Sequence, residues 1–245
     1  MKRIEFTGVA NSGKSFILQR LVEVLKGKSF QTVPELKAHA LSRRLLHGYP
    51  ILTLVIEHEL TKTRAGKSYL NNKFLEEGYS SGFWEMAELD DLVNHVFSSS
   101  SYLGQASSVR RIHKFLNSAC ELSALQGYGW AGLLIMDEGV IHRGHSLSVF
   151  SEEPEEFACR YFSLCPVPTG IVIVSADTKT LSQRRKHRDG KVWSCREREV
   201  FQTAVKVEKV MNDTLAKRGG CVLSIDGAGD VAENVRQIST FVESL

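Results

Sequence analysis

Two glycines that bracket four residues, followed at once by a lysine and a serine, stand near the start of the chain. Glycines let a backbone curl so that successive N–H groups point at phosphate oxygens, and a helix that follows presents its positive end to the same anion. The pattern is complete: it consists of Gly8, Val9, Ala10, Asn11, Ser12, Gly13, Lys14 and Ser15.

The lysine and serine that close this loop have distinct expected roles. Lys14 can reach the β- and γ-phosphates of a nucleoside triphosphate as a point charge, and Ser15 can ligate a Mg²⁺ ion that bridges them. The competing interpretation is a glycine turn whose lysine is simply solvated. Because the residues before the loop have a strand pattern and those after it a helix pattern, we favour a site for ATP and Mg²⁺.

A second acidic ligand is expected at the end of a neighbouring strand, where it can hold Mg²⁺ from the side opposite the serine. The apolar run 132–136 is followed by Asp137 and Glu138. We therefore predict that Asp137 is this metal ligand, although a strand that ends in a solvated carboxylate is common.

A basic run at 183–191 is the third candidate for phosphate chemistry. Arginines that a closing lid brings over a migrating phosphoryl group stabilise its charge and exclude water. Arg184 and Arg188 lie four residues apart and share a helix face, while Arg185 points elsewhere. We predict a lid at about 184–195 and a phosphate contact for one or more of the three arginines. A solvated basic face is the alternative.

The surrounding sequence alternates between apolar strand patterns and helical patterns. Strand patterns occur at 2–8, 30–33, 132–136, 170–174 and 221–225. Strands this apolar, separated by helices, indicate an α/β fold with a parallel sheet of about five strands covered on both sides, which makes three layers. We predict one domain over 1–245 with a helical insert at about 48–128, a helical patch at 52–64 and a serine-rich loop at 98–108.

These features resemble the P-loop kinases of the nucleotide and nucleoside kinase type, thymidylate kinase included. The resemblance rests on Gly8 to Ser15, on Leu133 to Glu138, on Asp137 to Arg143 and on the passage from Val174 to Arg188. It covers about residues 1–47 and 108–245. It implies the P-loop NTPase fold with strand order 2-3-1-4-5, and transfer of the γ-phosphate of Mg-ATP to a small acceptor.

The resemblance also suggests a general base. In nucleoside kinases a glutamate after the second strand takes the proton from the attacking hydroxyl, and Glu35 stands at that place, with Glu138 as its rival. A solvated turn glutamate is the bland alternative for Glu35. The dipeptide of those families is DR or ER, and Asp137-Glu138 replaces it here. Substrate identity therefore cannot be carried across.

Two other classes stay open. A run of apolar residues followed by Asp-Glu is also how ATP- or GTP-driven switches place Mg²⁺ and a glutamate that activates water, which would be Glu138. A nucleotide-binding module without turnover has no support in the sequence. For the acceptor, candidate contacts are Arg43, Arg44, Arg64, Arg110 and Arg111, with Tyr79, Phe83 and Trp84 as candidate stacking partners.

Composition limits partners and location only weakly. Net charge is +3, from 31 basic and 28 acidic residues, so a nucleic-acid acceptor is neither indicated nor ruled out. The five cysteines are scattered, as in reduced proteins. The chain shows neither a signal-peptide pattern nor an apolar run of about 18 residues. We expect a cytoplasmic protein without a membrane partner; oligomeric state is open, a dimer included.

Overall fold

Strands and helices alternate along the chain in the computed structural model, which describes residues 1–25, 30–45, 60–80, 87–98, 106–127, 131–190 and 193–245. The described strands are β1 (Lys2–Thr7), β2 (Phe30–Thr32), β3 (Leu133–Asp137), β4 (Gly170–Ser175) and β5 (Cys221–Asp226). The main helices are α1 (Lys14–Val24), α2 (Val33–Leu45), α3 (Arg64–Ser80), α4 (Ala87–Ser98), α5 (Ala106–Gly127), α6 (Val140–Val149), α7 (Pro154–Leu164), α8 (Thr178–Asp189), α9 (Cys195–Lys217) and α10 (Val231–Ser244).

The strands form one parallel sheet in the order β2-β3-β1-β4-β5. This is the predicted order, and the predicted α/β fold is confirmed. In the register of the central strands, Phe6 of β1 pairs with Asp137 of β3 on one side and Val172 of β4 on the other. The carboxyl ends of β1 and β3 therefore meet, which brings the glycine loop beside Asp137.

Both faces of the sheet are covered, because alternate side chains of each strand point to opposite sides. One face packs on α1 and α10 through a buried cluster that includes Ile4, Phe6, Ile135, Val172 and Val174. The other face belongs to a larger buried cluster that includes Leu134, Met136, Ile171 and Ile173 and side chains of α2, α3, α4, α5, α6, α7 and α9. These two layers of helices enclose the sheet as the apolar strand patterns predicted.

The second strand is shorter than predicted. It ends at Thr32, and α2 begins at Val33, where the strand was predicted to end. Pro34 suits a first helical turn, where its missing N–H is not needed. The Glu35 carboxylate accepts hydrogen bonds from the Thr32 N–H at 2.9 Å and the Thr32 hydroxyl at 2.8 Å, which stabilises this earlier start. Glu35 thus lies inside a helix and does not close the strand.

Several predicted segments are helical where the structure describes them. Helices α3, α4 and α5 lie within the predicted insert, with α3 packed on α5 and α4 packed on α7. Most of the predicted patch 52–64 and loop 98–108 lies outside the described residues. After α8, Gly190 ends the helix with a left-handed φ of 67°. Among the described helices, none has the length and hydropathy needed to cross a membrane.

Candidate active site

The loop between β1 and α1 is held in a tight curl. Gly8 has a φ of 140°, and a Cβ there would lie 2.1 Å from the Val174 carbonyl oxygen of β4. Gly13 has a φ of 101°, and Asn11 also has a positive φ, of 70°. Because L-residues with a side chain rarely adopt such conformations, the glycines are required by the geometry. The loop wraps the amino end of α1, where the helix has its positive pole.

Lys14 lies at the centre of the site. Its side chain is buried, with Nζ 2.9 Å from Asp137 Oδ1 and 3.5 Å from Glu138 Oε1. The Ser15 hydroxyl is 3.5 Å from Asp137 Oδ2. The pairing of β1 with β3 thus brings the loop's lysine and serine together with both acidic residues.

The Ser15 hydroxyl and the Asp137 carboxylate are the oxygen donors that Mg²⁺ prefers. A Mg²⁺ site of this kind is completed by waters and by the phosphates of the substrate, so two protein ligands are enough. The residues present therefore fit the predicted metal.

Glu138 has an unusual backbone and two cationic neighbours, Lys14 and Arg143. Its φ is 60°, in the left-handed region. Arg143 contributes an ion pair at 3.1 Å, and His142 Nε2 lies 3.7 Å away. Partial burial raises the pKa of Glu138, but the charges of Lys14 and Arg143 outweigh it, so that the pKa lies below the usual value. Glu138 is held ionised and is a weak proton acceptor.

A buried carboxylate from β1 supports the turn after Asp137. Glu5 accepts a hydrogen bond from the Ile141 N–H at 2.8 Å and pairs with Arg3 at 3.2 Å. A Cβ on Gly139 would lie 2.4 Å from the Glu5 carboxylate, so a side chain there would displace this carboxylate. Burial raises the pKa of Glu5, against the opposing effect of Arg3. Glu5 fixes the start of α6 and with it the position of Glu138.

A cavity of about 870 Å³, here called the phosphate-loop cavity, opens over the glycine loop. Its volume is in the range of small-molecule sites. The loop 8–15, α6, α8 and α9 form its walls. Trp193 and Phe201, whose ring centroids are 5.4 Å apart, also line it.

The three predicted arginines all line this cavity, but each guanidinium is already bound by the protein. Arg184 donates to the carbonyls of Ser12 at 2.7 Å, Gly227 at 2.7 Å and Asn11 at 3.3 Å. Arg185 forms an ion pair with Glu197. Arg188 is bonded to its neighbour Asp189 at 2.9 Å. The contact of these arginines with phosphates stays a prediction. In this structure Arg184 binds carbonyl groups of the glycine loop.

Glu35 lines neither of the two cavities described here. Its carboxylate is exposed and bonded to Thr32. The general-base role of Glu35 therefore stays a prediction that the geometry does not support by any contact.

A second cavity of about 620 Å³, here called the α5 cavity, adjoins the first. It shares Glu138, His142 and Ser146 with the phosphate-loop cavity. Its other lining residues are Ser107, Arg110, Arg111, Lys114 and Arg143. Two of the predicted acceptor arginines, Arg110 and Arg111, thus line the same cavity as Glu138. Of the other candidates, Phe83 and Trp84 lie outside the described residues.

Sequence reasoning missed several residues of the site. Lys114 had a detectable pattern, because it stands four residues after Arg110 and shares its helix face. Glu5 had one too, since a strand places Arg3 and Glu5 on the same face. His145 had none: it is buried, and its Nε2 bonds the Ala204 carbonyl at 3.2 Å, which makes this nitrogen the donor. Trp193 and Phe201 line the phosphate-loop cavity because of how α9 packs, which their sequence context does not show.

The sheet order and the curled glycine loop together have the form of the P-loop NTPase fold. No protein-family model and no curated protein matches the chain. Among solved structures, deoxyadenosine kinase from M. mycoides with bound dATP matches at TM-score 0.50 and 14% identity, over 99% of this chain and 100% of that one. The same kinase with dCMP and dCDP matches at 0.48 and 13%, over 99% and 100%. Thymidylate kinase from Candida albicans matches at 0.46 and 15%, over 99% and 91%.

At such low identity this likeness concerns the fold. The dATP-bound structure shows that the chain has the fold of the P-loop nucleoside and nucleotide kinases.

Proposed function

We propose that this protein is an ATP-dependent phosphotransferase that moves the γ-phosphate of Mg-ATP to a small acceptor, a nucleoside, a nucleotide or a similar molecule. The observation that carries the proposal is the position of Lys14, buried between Asp137 and Glu138 at the mouth of a curled glycine loop. A buried ammonium at this point favours a polyanion that can exchange with the two carboxylates.

The residues of the loop divide the work of binding. Backbone N–H groups of Gly8 to Ser15 and the amino end of α1 would cradle the phosphates. Lys14 would neutralise charge on the β- and γ-phosphates, while Arg184 keeps the loop in shape through its carbonyls. Ser15 and Asp137 would hold Mg²⁺, which when bound orients the triphosphate and offsets its charge.

The phosphate-loop cavity and the α5 cavity support transfer over hydrolysis. They meet at Glu138, so a second molecule can approach the γ-phosphate from the α5 side while the nucleotide occupies the loop. A switch that hydrolyses ATP needs room there only for water. The rival assignment gives Glu138 the activation of that water, but its pairing with Lys14 and Arg143 makes it a poor base.

ADP release from Mg-ATP, measured with and without candidate acceptors, tests the proposal. We expect release that depends on the acceptor, and Lys14→Ala should abolish it with the fold intact by circular dichroism. Lys67→Ala is a matched control, because Gly66-Lys67-Ser68 repeats the same triplet on helix α3, where Lys67 is exposed. Steady hydrolysis that no acceptor accelerates would favour the switch, and full activity of Lys14→Ala would refute both.

A further inference from the structure

The α5 cavity has a marked excess of positive charge. Of its eight lining residues that the structure describes, four are arginine or lysine and one is acidic. That acidic residue, Glu138, is already paired with Lys14 and Arg143. Among the described lining residues, Glu138 is therefore not available to balance Arg110 and Lys114 of α5.

Arg110 and Lys114 of this wall are both exposed. Within the ranges that the structure describes, no carboxylate pairs with either of them. They stand four residues apart on α5, where like charges repel each other across one turn of the helix. A bound anion would relieve this repulsion, whereas an uncharged ligand would not.

Arg111 is held in place by an aromatic ring. Its guanidinium carbon lies 3.6 Å from the centroid of the Phe150 ring, a cation–π arrangement. Phe150 lines the phosphate-loop cavity while Arg111 lines the α5 cavity. The Phe150 ring therefore holds the planar guanidinium of Arg111, a hydrogen-bond donor, at the boundary between the two cavities.

The same boundary contains the expected transfer point. Glu138 and His142 line both cavities, and Glu138 contacts Lys14. Burial, followed by the charges of Lys14, His145, Arg143 and Lys114, lowers the pKa of His142 well below its usual value. Because His142 is neutral, the positive charge at this boundary comes from the arginines and the lysine of the α5 cavity, which attract an anion at neutral pH.

We propose that the acceptor is a phosphate monoester, bound by Arg110, Arg111 and Lys114, and that an oxygen of its own phosphate is the nucleophile. This inference rests on the proposed function. A phosphate dianion has no proton to lose, which suits a site where Glu138 is paired with two cations and Glu35 is bonded to Thr32. An uncharged nucleoside would need a base to accept its hydroxyl proton.

The step is balanced without a further reactant. The acceptor oxygen forms a bond to the γ-phosphorus, and the bond from that phosphorus to the β–γ bridging oxygen breaks. ADP leaves with the electron pair, and the acceptor becomes a diphosphate.

Paired acceptors test the class. ADP release is measured with 5′-AMP, GMP, CMP, UMP and dTMP, with each corresponding nucleoside, and with ribose 5-phosphate against ribose. We expect the phosphorylated member of the best pair to be the acceptor and its partner to be inactive. Faster release with the unphosphorylated member overturns the inference and leaves the phosphotransferase function standing.

Charge removal tests the site. Arg110→Gln combined with Lys114→Gln should raise the KM of the phosphorylated acceptor about tenfold to hundredfold, the effect of one or two lost charge-assisted bonds. The KM of Mg-ATP should not change. The control is Lys206→Gln with Lys209→Gln, two exposed lysines on α9 that line neither cavity. An unchanged acceptor KM in the α5 variant overturns the site, whereas wild-type turnover in Lys14→Ala overturns the proposed function instead.

Discussion

Arg184 holds the phosphate loop from outside, and its replacement by glutamine separates this role from contact with phosphate. The guanidinium makes two short bonds, of 2.7 Å each, to the carbonyls of Ser12 and Gly227, and a longer one of 3.3 Å to Asn11. A hydrogen bond to a charged group contributes about 1.5–3 kcal/mol, and such contributions are not additive. Because glutamine can restore at most part of this set, Arg184→Gln should lower the free energy of unfolding by about 2–4 kcal/mol.

The loss should also change nucleotide binding. Without the arginine, the segment from Asn11 to Gly13 is released from the β5–α10 connection that Gly227 begins. The N–H groups of the loop are then no longer held pointing at the same phosphate group, so the KM of Mg-ATP should rise about tenfold or more. The turnover number should fall less, since Lys14 and Asp137 remain.

Urea unfolding and steady-state kinetics on the same preparations check both effects. Arg188→Gln is the matched control on the same helix, because its guanidinium is exposed and contacts only its neighbour Asp189 among the bonds described. We expect unchanged stability in that variant. If Arg184→Gln kept wild-type stability and ATP KM but lost turnover, the arginine would act on the transferring phosphate and the reasoning would be wrong.

Three further substitutions test the acidic residues and the buried histidine. Asp137→Asn should weaken nucleotide binding about tenfold in Mg²⁺ but little in EDTA, as calorimetry can show. Glu35→Gln should leave turnover within about twofold if the acceptor is a phosphate, whereas a hydroxyl acceptor predicts a loss of at least about a hundredfold. Burial lowers the pKa of His145 to about 4. In the unfolded chain this histidine is protonated as the pH falls below about 6.5, whereas in the folded protein it stays neutral until about pH 4. The free energy of unfolding should therefore fall by about 3 kcal/mol as the pH drops from 6.5 to 4. His145→Gln should remove this component from urea unfolding curves.

The central part of the site could be predicted because local sequence determines it. Two glycines at a spacing of five with a lysine and a serine after them allow one kind of curl, and the apolar strand before Asp137 places that residue at a sheet edge. Parallel pairing then brings the two together, since neighbouring strands end on the same side. The strand order followed from the family resemblance.

Glu35 could not be placed this way. Its role depended on where β2 ends, and the boundary was set by a hydrogen bond between its own carboxylate and Thr32. Side chains of glutamate serve equally as helix-stabilising groups and as bases. Sequence spacing alone does not separate these uses.

Arg184 and Arg188 show the same limit for cations. Four-residue spacing correctly put both on one helix, α8, and both line the phosphate-loop cavity. Their partners differ because β4 and β5 pair so that Ser175 lies opposite Asp226, which carries Gly227 against the loop. A Cβ on Gly227 would lie 1.9 Å from the Ser12 carbonyl oxygen, so the two backbones touch there. Their carbonyls then converge on Arg184, a full helical turn before Arg188. A charged residue's place on a helix is thus a local property, while its partner is decided by the pairing of strands distant in sequence.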